Sequence, residues 1–132
     1  MTESLNRYAP YALAALRIVA ALLFMEHGTV KLFGFPDTGR GGGELDTLHL
    51  IAGLLEVFGG LALVIGLFTR PVAFLLSGQM AIAYWMVHFK PEAFFPIQNH
   101  GDGAILFCFV FLYLVFAGSG AWSVDGMRKA NP

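Results

Sequence analysis

The sequence predicts an all-α integral membrane protein, an antiparallel bundle of four transmembrane helices with both termini in the cytoplasm. Three observations carry this. Hydrophobic residues make up 57% of the 132 positions and charged ones only 13%, too few to give a soluble domain its polar shell. The apolar residues gather into four stretches, each close to the roughly 20 residues that cross hydrocarbon as a helix. Those stretches are continuously apolar rather than alternating with period two, as a barrel strand would. In lipid only helices and closed barrels satisfy the backbone, so helices remain. The spans use nearly the whole chain, and residues 1–132 read as one domain.

The first span is expected over residues 11–33. Arg7 precedes it as a basic residue precedes the core of a secretion signal, but Arg17 interrupts the run, and Glu26-His27-Gly28 is no small-x-small cleavage site. We read it as a retained helix. A turn-rich break follows, with Pro36, Asp37 and Gly41-Gly42-Gly43. The second span, 48–68, opens behind Asp46 or Thr47 as N-cap. The short connection Thr69-Arg70-Pro71 makes the third span, 71–88, its antiparallel neighbour, with Pro71 at a helix start. A second polar loop carries Pro91 and Pro96 before the fourth span, 102–117, which Gly118-Ser119-Gly120 ends.

Several function classes drop out. Cys108 is the only cysteine, so an intrachain disulfide, a CxxC pair and a thiolate metal cage are excluded. Redox chemistry would need a borrowed cofactor, a bound quinone or a partner chain. The net charge of −1 comes with no basic tract or zinc spacing, and no nucleic-acid partner is expected. His27, His88 and His100 fall on one side without tight ligand spacing, so no metal site is expected. Arg7, Arg70, Arg128 and Lys129, with Arg17 snorkelling towards them, outweigh Arg40, Lys90 and Lys31 on the other face. The positive-inside rule then puts both termini in the cytoplasm. The opposite rim collects Asp37, Glu44, Asp46, Glu92, His49 and His100.

The informative residues are the carboxylates inside the spans. Glu26 lies seven positions before Phe33 and Glu56 eight after Leu48, so each sits roughly 10 to 12 Å below the outer end of its helix at about 1.5 Å per residue. An acidic group at mid-membrane costs about 3 kcal/mol on insertion scales and needs a partner, a proton or a wet cavity. Gly53, Glu56 and Gly60 form one stripe, and small residues on a stripe admit a neighbouring helix. Glu56 should therefore face inward, either to bind or relay protons or to make a structural hydrogen bond. His27 and Lys31 share a face while Glu26 points about 100° away. Lys31 either snorkels to the headgroups or joins a charge network.

In the third span, Gly78, Ala81 and Trp85 trace a narrow stripe towards His88, and Gln79 is placed for an interhelical hydrogen bond. Tyr84 and Trp85 also suit an interfacial aromatic belt. Asn99 is a candidate cap for the fourth span, and Asp102 favours its N-terminus through the dipole. Glu26, Glu56, His88, Asn99, His100 and Asp102 are expected to converge on one outer pocket. The thirteen phenylalanines offer flat apolar walls for a quinone-like ligand, and they equally serve ordinary membrane packing.

These residues resemble the DoxX family of small four-helix membrane proteins. The matching pieces are LRIVAALLFMEHGTVKLFGF, GLLEVFGGLALVIGLFTRPVA, NHGDGAILF and GSGAWSVD. Ser119 stands where the family often has proline, and Asp102 where a glutamate is usual. The resemblance implies that Lys31, Glu56, Arg70, Asn99 and Asp125 occupy recurring polar positions, with Asp102 at the altered one. It also implies a bacterial inner-membrane subunit of an oxidoreductase assembly, thiosulfate:quinone-type or linked to oxidative-stress defence. Expected partners are the bilayer and a partner protein or second copy. No intrinsic cofactor is expected, and quinone is the candidate ligand. A non-catalytic scaffold recruiting an enzyme, or small-solute or proton transport, stands as the alternative.

Overall fold

A computed structural model describes residues 1–39 and 41–130; Arg40, counted above in the charge balance, lies outside them. The chain is helical, with no named strand among the described residues and a single isolated bridge between Lys90 and Ala93. The helices are α1 (Thr2–Arg7), α2 (Ala9–Phe33), α3 (Thr47–Ile65), α4 (Thr69–Ala83), α5 (Pro96–Asn99), α6 (Asp102–Ala117) and α7 (Val124–Ala130). A π-helical turn, Tyr84–His88, extends α4. The three short helices α1, α5 and α7 lack the long apolar runs that made the others legible.

Local chemistry sets the ends. Pro10 sits in the first turn of α2, where its missing N–H would have no partner anyway. Gly34 closes that helix in the left-handed region at φ 67°, and the amides of Gly34 and Phe35 return to Val30 and Thr29. Asp46 is the N-cap of α3, its side chain accepting the His49 amide at 2.8 Å. Gly66, at φ 71°, stops α3 at Ile65, so the second stretch ends three residues before the expected Phe68. α4 then starts at Thr69, which puts Pro71 inside its first turn.

Of the four expected spans, α2 and α3 are long and apolar enough to cross a membrane by length and composition. α6 is an apolar helix of 16 residues and α4 has 15 before the π turn. α2 packs along α3 and α4 along α6, with α3 against α4. Ala14, Ala21, Phe24, Leu63, Ala73, Leu76, Phe111 and Leu114 are fully enclosed between them. Phe58, Phe74, Leu106 and Phe116 stand on the outside, each at least 60% exposed. Such a continuous apolar exterior matches lipid rather than water as the surrounding solvent.

The α2–α3 seam is held close by Gly28. A Cβ there would come within 2.8 Å of the Glu56 Cβ and 2.9 Å of the Gly53 carbonyl oxygen. This small-residue contact brings Glu56 directly against α2.

Candidate functional site

A cavity of about 280 Å³ opens between the C-terminal halves of α2 and α4 and the N-terminal halves of α3 and α6. Helical periodicity explains its lining. Phe24, His27 and Lys31 recur at three- and four-residue intervals on α2, as do His49, Ala52 and Glu56 on α3. Gln79 and Met80 come from α4, His88 from the π turn, and Phe107 from α6. A π turn redirects the side chains that follow it, and here it sets His88 on the rim. All four histidines of the chain, His27, His49, His88 and His100, line the cavity. The walls are otherwise apolar, and His27 meets Phe107 edge-on at 5.9 Å between centroids.

The floor is polar. Glu56 is 2% exposed, and its Oε1 accepts the Lys31 ammonium at 2.5 Å, joining α2 to α3. The Gln79 amide nitrogen approaches the same Oε1 at 3.5 Å and the Ala52 carbonyl at 3.4 Å. Glu56 Oε2 and Gln79 Oε1 are buried without a hydrogen-bond partner. Buried polar atoms are nearly always paired, so two orphans on one cavity floor are a local signature. At the rim, His88 Nδ1 lies 3.2 Å from the Asn99 carbonyl, and His49 Nδ1 lies 2.7 Å from Asp46 Oδ1. The His49 amide, and then its ring, hold the Asp46 carboxyl below the usual carboxylate range. No cluster of three or more metal-ligating side chains occurs among the described residues.

The expected pocket is thus assembled in part. His27, Lys31, Glu56, His88 and His100 meet in it, and His49 joins them from the rim. Glu26 does not. It is exposed and lies about 200° round α2 from Phe24, on the opposite face from the lining. Asp102 is also exposed, in the first turn of α6, and does not line the cavity. Asn99 is buried behind His88 rather than capping α6. Its Oδ1 accepts the Gly101 amide, and its amide nitrogen donates to the Ala93 carbonyl and the Tyr84 hydroxyl. Gly101 is the N-cap of α6. The stripe Gly78, Ala81, Trp85 faces outward, with Trp85 64% exposed. The inward face of α4 is Ala73, Leu76, Ser77 and Met80, and Gln79 makes the interhelical contact its position foretold.

A second polar centre lies at the other end of the helices. Arg17 does not snorkel; it is fully buried. Its guanidinium donates to the carbonyls of Leu63 (2.9 Å), Ala121 (3.1 Å), Trp122 (2.8 Å) and Ser119. Arg70 donates to the carbonyls of Val115 and Phe116 at the C-terminal end of α6. The Asp125 carboxylate accepts the Phe68 and Thr69 amides at 2.9 Å each, capping α4. Burial alone would raise the Asp125 pKa, but these bonds and the nearby Arg128 hold it below the ordinary value. Thr69 Oγ1 has no partner of good geometry, yet it lies close enough to that carboxylate to help lower it. Arg70 and Asp125 therefore tie helix ends together, whereas Lys31 and Glu56 face a cavity.

The DoxX family model matches residues 12–89, which take in most of α2 and all of α3, α4 and the π turn. An uncharacterized protein of Haemophilus influenzae is 48% identical over 127 residues, covering 93% of this chain and 95% of the relative. No solved structure matches the chain. A family match spanning the Lys31–Glu56 pair, a full-length relative and an apolar helical exterior lead to one conclusion: the chain is a membrane protein of the DoxX family.

Proposed function

We propose that this protein is a multi-pass subunit of an oxidoreductase assembly in the bacterial inner membrane. In this reading α2, α3, α4 with its π turn, and α6 form an antiparallel four-helix bundle. Its arginine-rich end and both termini lie in the cytoplasm, and the cavity opens near the outer face. The cavity takes a quinone or a small reductant, and Glu56 with its neighbours moves protons between ligand and rim.

The observation that carries the reading is Glu56 itself: enclosed at 2% exposure, yet paired through one oxygen only, with the other left at the floor of an apolar-walled cavity. A purely structural carboxylate would be expected to have both oxygens engaged. The histidine rim supplies ring nitrogens that can donate or accept hydrogen bonds. Apolar walls with a few convergent polar groups are the usual make-up of a small-ligand site.

Titrating a short-chain quinone and its quinol into protein in nanodiscs tests this. Glu56→Gln should weaken binding of whichever form, quinone or quinol, the wild type binds more tightly by about tenfold, equivalent to about 1.4 kcal/mol, with the helical fold retained by far-UV circular dichroism. Unchanged affinity in that variant would remove Glu56 from the site.

A further inference from the structure

The buried polar atoms left unpartnered on the cavity floor have one sign. Glu56 Oε2 is an acceptor with no partner. Gln79 Oε1 is another, and its identity follows from the network. The Gln79 amide nitrogen faces the Ala52 carbonyl and the Glu56 carboxylate; a flipped amide would set oxygen against two acceptors. The rim behaves alike. His88 Nδ1 faces a backbone carbonyl and His49 Nδ1 faces a carboxylate, so each Nδ1 carries the proton. In the neutral ring this leaves Nε2 as an acceptor. Four side chains from α3, α4 and the π turn therefore offer lone pairs. Glu56 is already neutralised by Lys31 at 2.5 Å, which removes the call for a cation. Lys31 is itself 31% exposed, so its remaining N–H groups can be solvated.

We infer that this cavity prefers the hydrogen-bond-donating, reduced form of its ligand, a two-hydroxyl quinol, over the corresponding quinone; this rests on the quinone-pocket reading above. A quinone carries only acceptors and would leave those two buried oxygens unpaired. A quinol supplies two O–H donors on a flat apolar body, which matches the orphan oxygens and the phenylalanine-lined walls. Donation to a carboxylate is the stronger class of hydrogen bond, so most of the preference should come from Glu56.

The test is an anaerobic titration of the protein in nanodiscs with decylubiquinol, decylubiquinone and the quinol's di-O-methyl ether. The ether keeps the ring and tail and replaces each O–H donor with a methoxy group. The quinol should bind at least about tenfold more tightly than either competitor, a difference of about 1.4 kcal/mol. Gln79→Met should shrink that ratio several-fold. Quinone or ether binding as tightly as quinol overturns the inference and leaves the quinone-pocket reading standing. If none of the three binds, that reading fails and the inference falls with it. The wild-type comparison does not depend on a variant folding.

Discussion

Arg17 and Glu56 are both enclosed ionisable side chains, held near opposite ends of the same helix packing. Arg17 is surrounded by acceptors: all of its guanidinium nitrogens donate, to carbonyls of α3 and of the segment between α6 and α7. Glu56 has one engaged oxygen and one free, with a cavity beside it. A buried polar group that is fully used fixes a structure, whereas one kept partly unused is available to something else. The contrast separates a lock from a site within one small chain. It also divides the polar positions that the sequence resemblance implied, since Arg70 and Asp125 belong with the lock and Lys31 and Glu56 with the cavity.

The largest effect expected from breaking this contrast is at Arg17. Arg17→Met keeps an unbranched apolar stem but loses four hydrogen bonds, stranding the carbonyls of Ser119, Ala121 and Trp122 while that of Leu63 keeps the Gly66 amide. At about 1 kcal/mol for each, the loss is roughly 3 to 4 kcal/mol. Thermal unfolding in detergent should show it directly. Stability within about 1 kcal/mol of wild type would mean that the carbonyls find other donors and that Arg17 is no lock.

Asp125 gives a smaller effect with a pH signature. Asp125→Ala removes the cap on α4 and should cost about 1 kcal/mol at neutral pH. The folded-state pKa of this group is lowered, so its contribution is present above the unfolded value of about 3.9. It is lost as pH falls through the folded pKa. The gap between wild type and variant should therefore close as pH drops below about 4. A gap that stays constant to lower pH would mean that the cap does not depend on charge.

Much of this division was within reach of the sequence, and the failures have physical causes. The stripe Gly53, Glu56, Gly60 correctly turned Glu56 inward, because glycine on the inner face is what lets α2 approach. The same reasoning failed for Gly78, where a Cβ would meet only open space; a small residue permits a close contact without requiring one. Arg17 shares its stripe with Ala14, Ala21, Phe24 and Gly28, all buried, so its inward face was readable. Its acceptors were not, since Ser119, Ala121 and Trp122 lie more than 100 residues away and their carbonyls are aimed by backbone geometry. The π turn at Tyr84–His88 left no mark in the apolar pattern either, yet it places His88 on the rim.

Glu26 offers the smallest expected effect and the sharpest check on which acids belong to the cavity. It sits one residue from His27, but on a helix one step turns a side chain by about 100°, enough to carry it out of the lining. Its own carboxylate is exposed, and the contact nearby is the Thr29 hydroxyl donating to the Glu26 backbone carbonyl, which a side-chain change leaves alone. Glu26→Gln should therefore alter stability by less than about 0.5 kcal/mol and leave quinone or quinol affinity where it was. Measured beside Glu56→Gln, the pair asks whether depth in the membrane or direction round the helix decides a carboxylate's role. Both lie at similar depth along their helices, so equal losses of affinity would favour depth and return Glu26 to the pocket. A loss confined to Glu56 would show that direction decides.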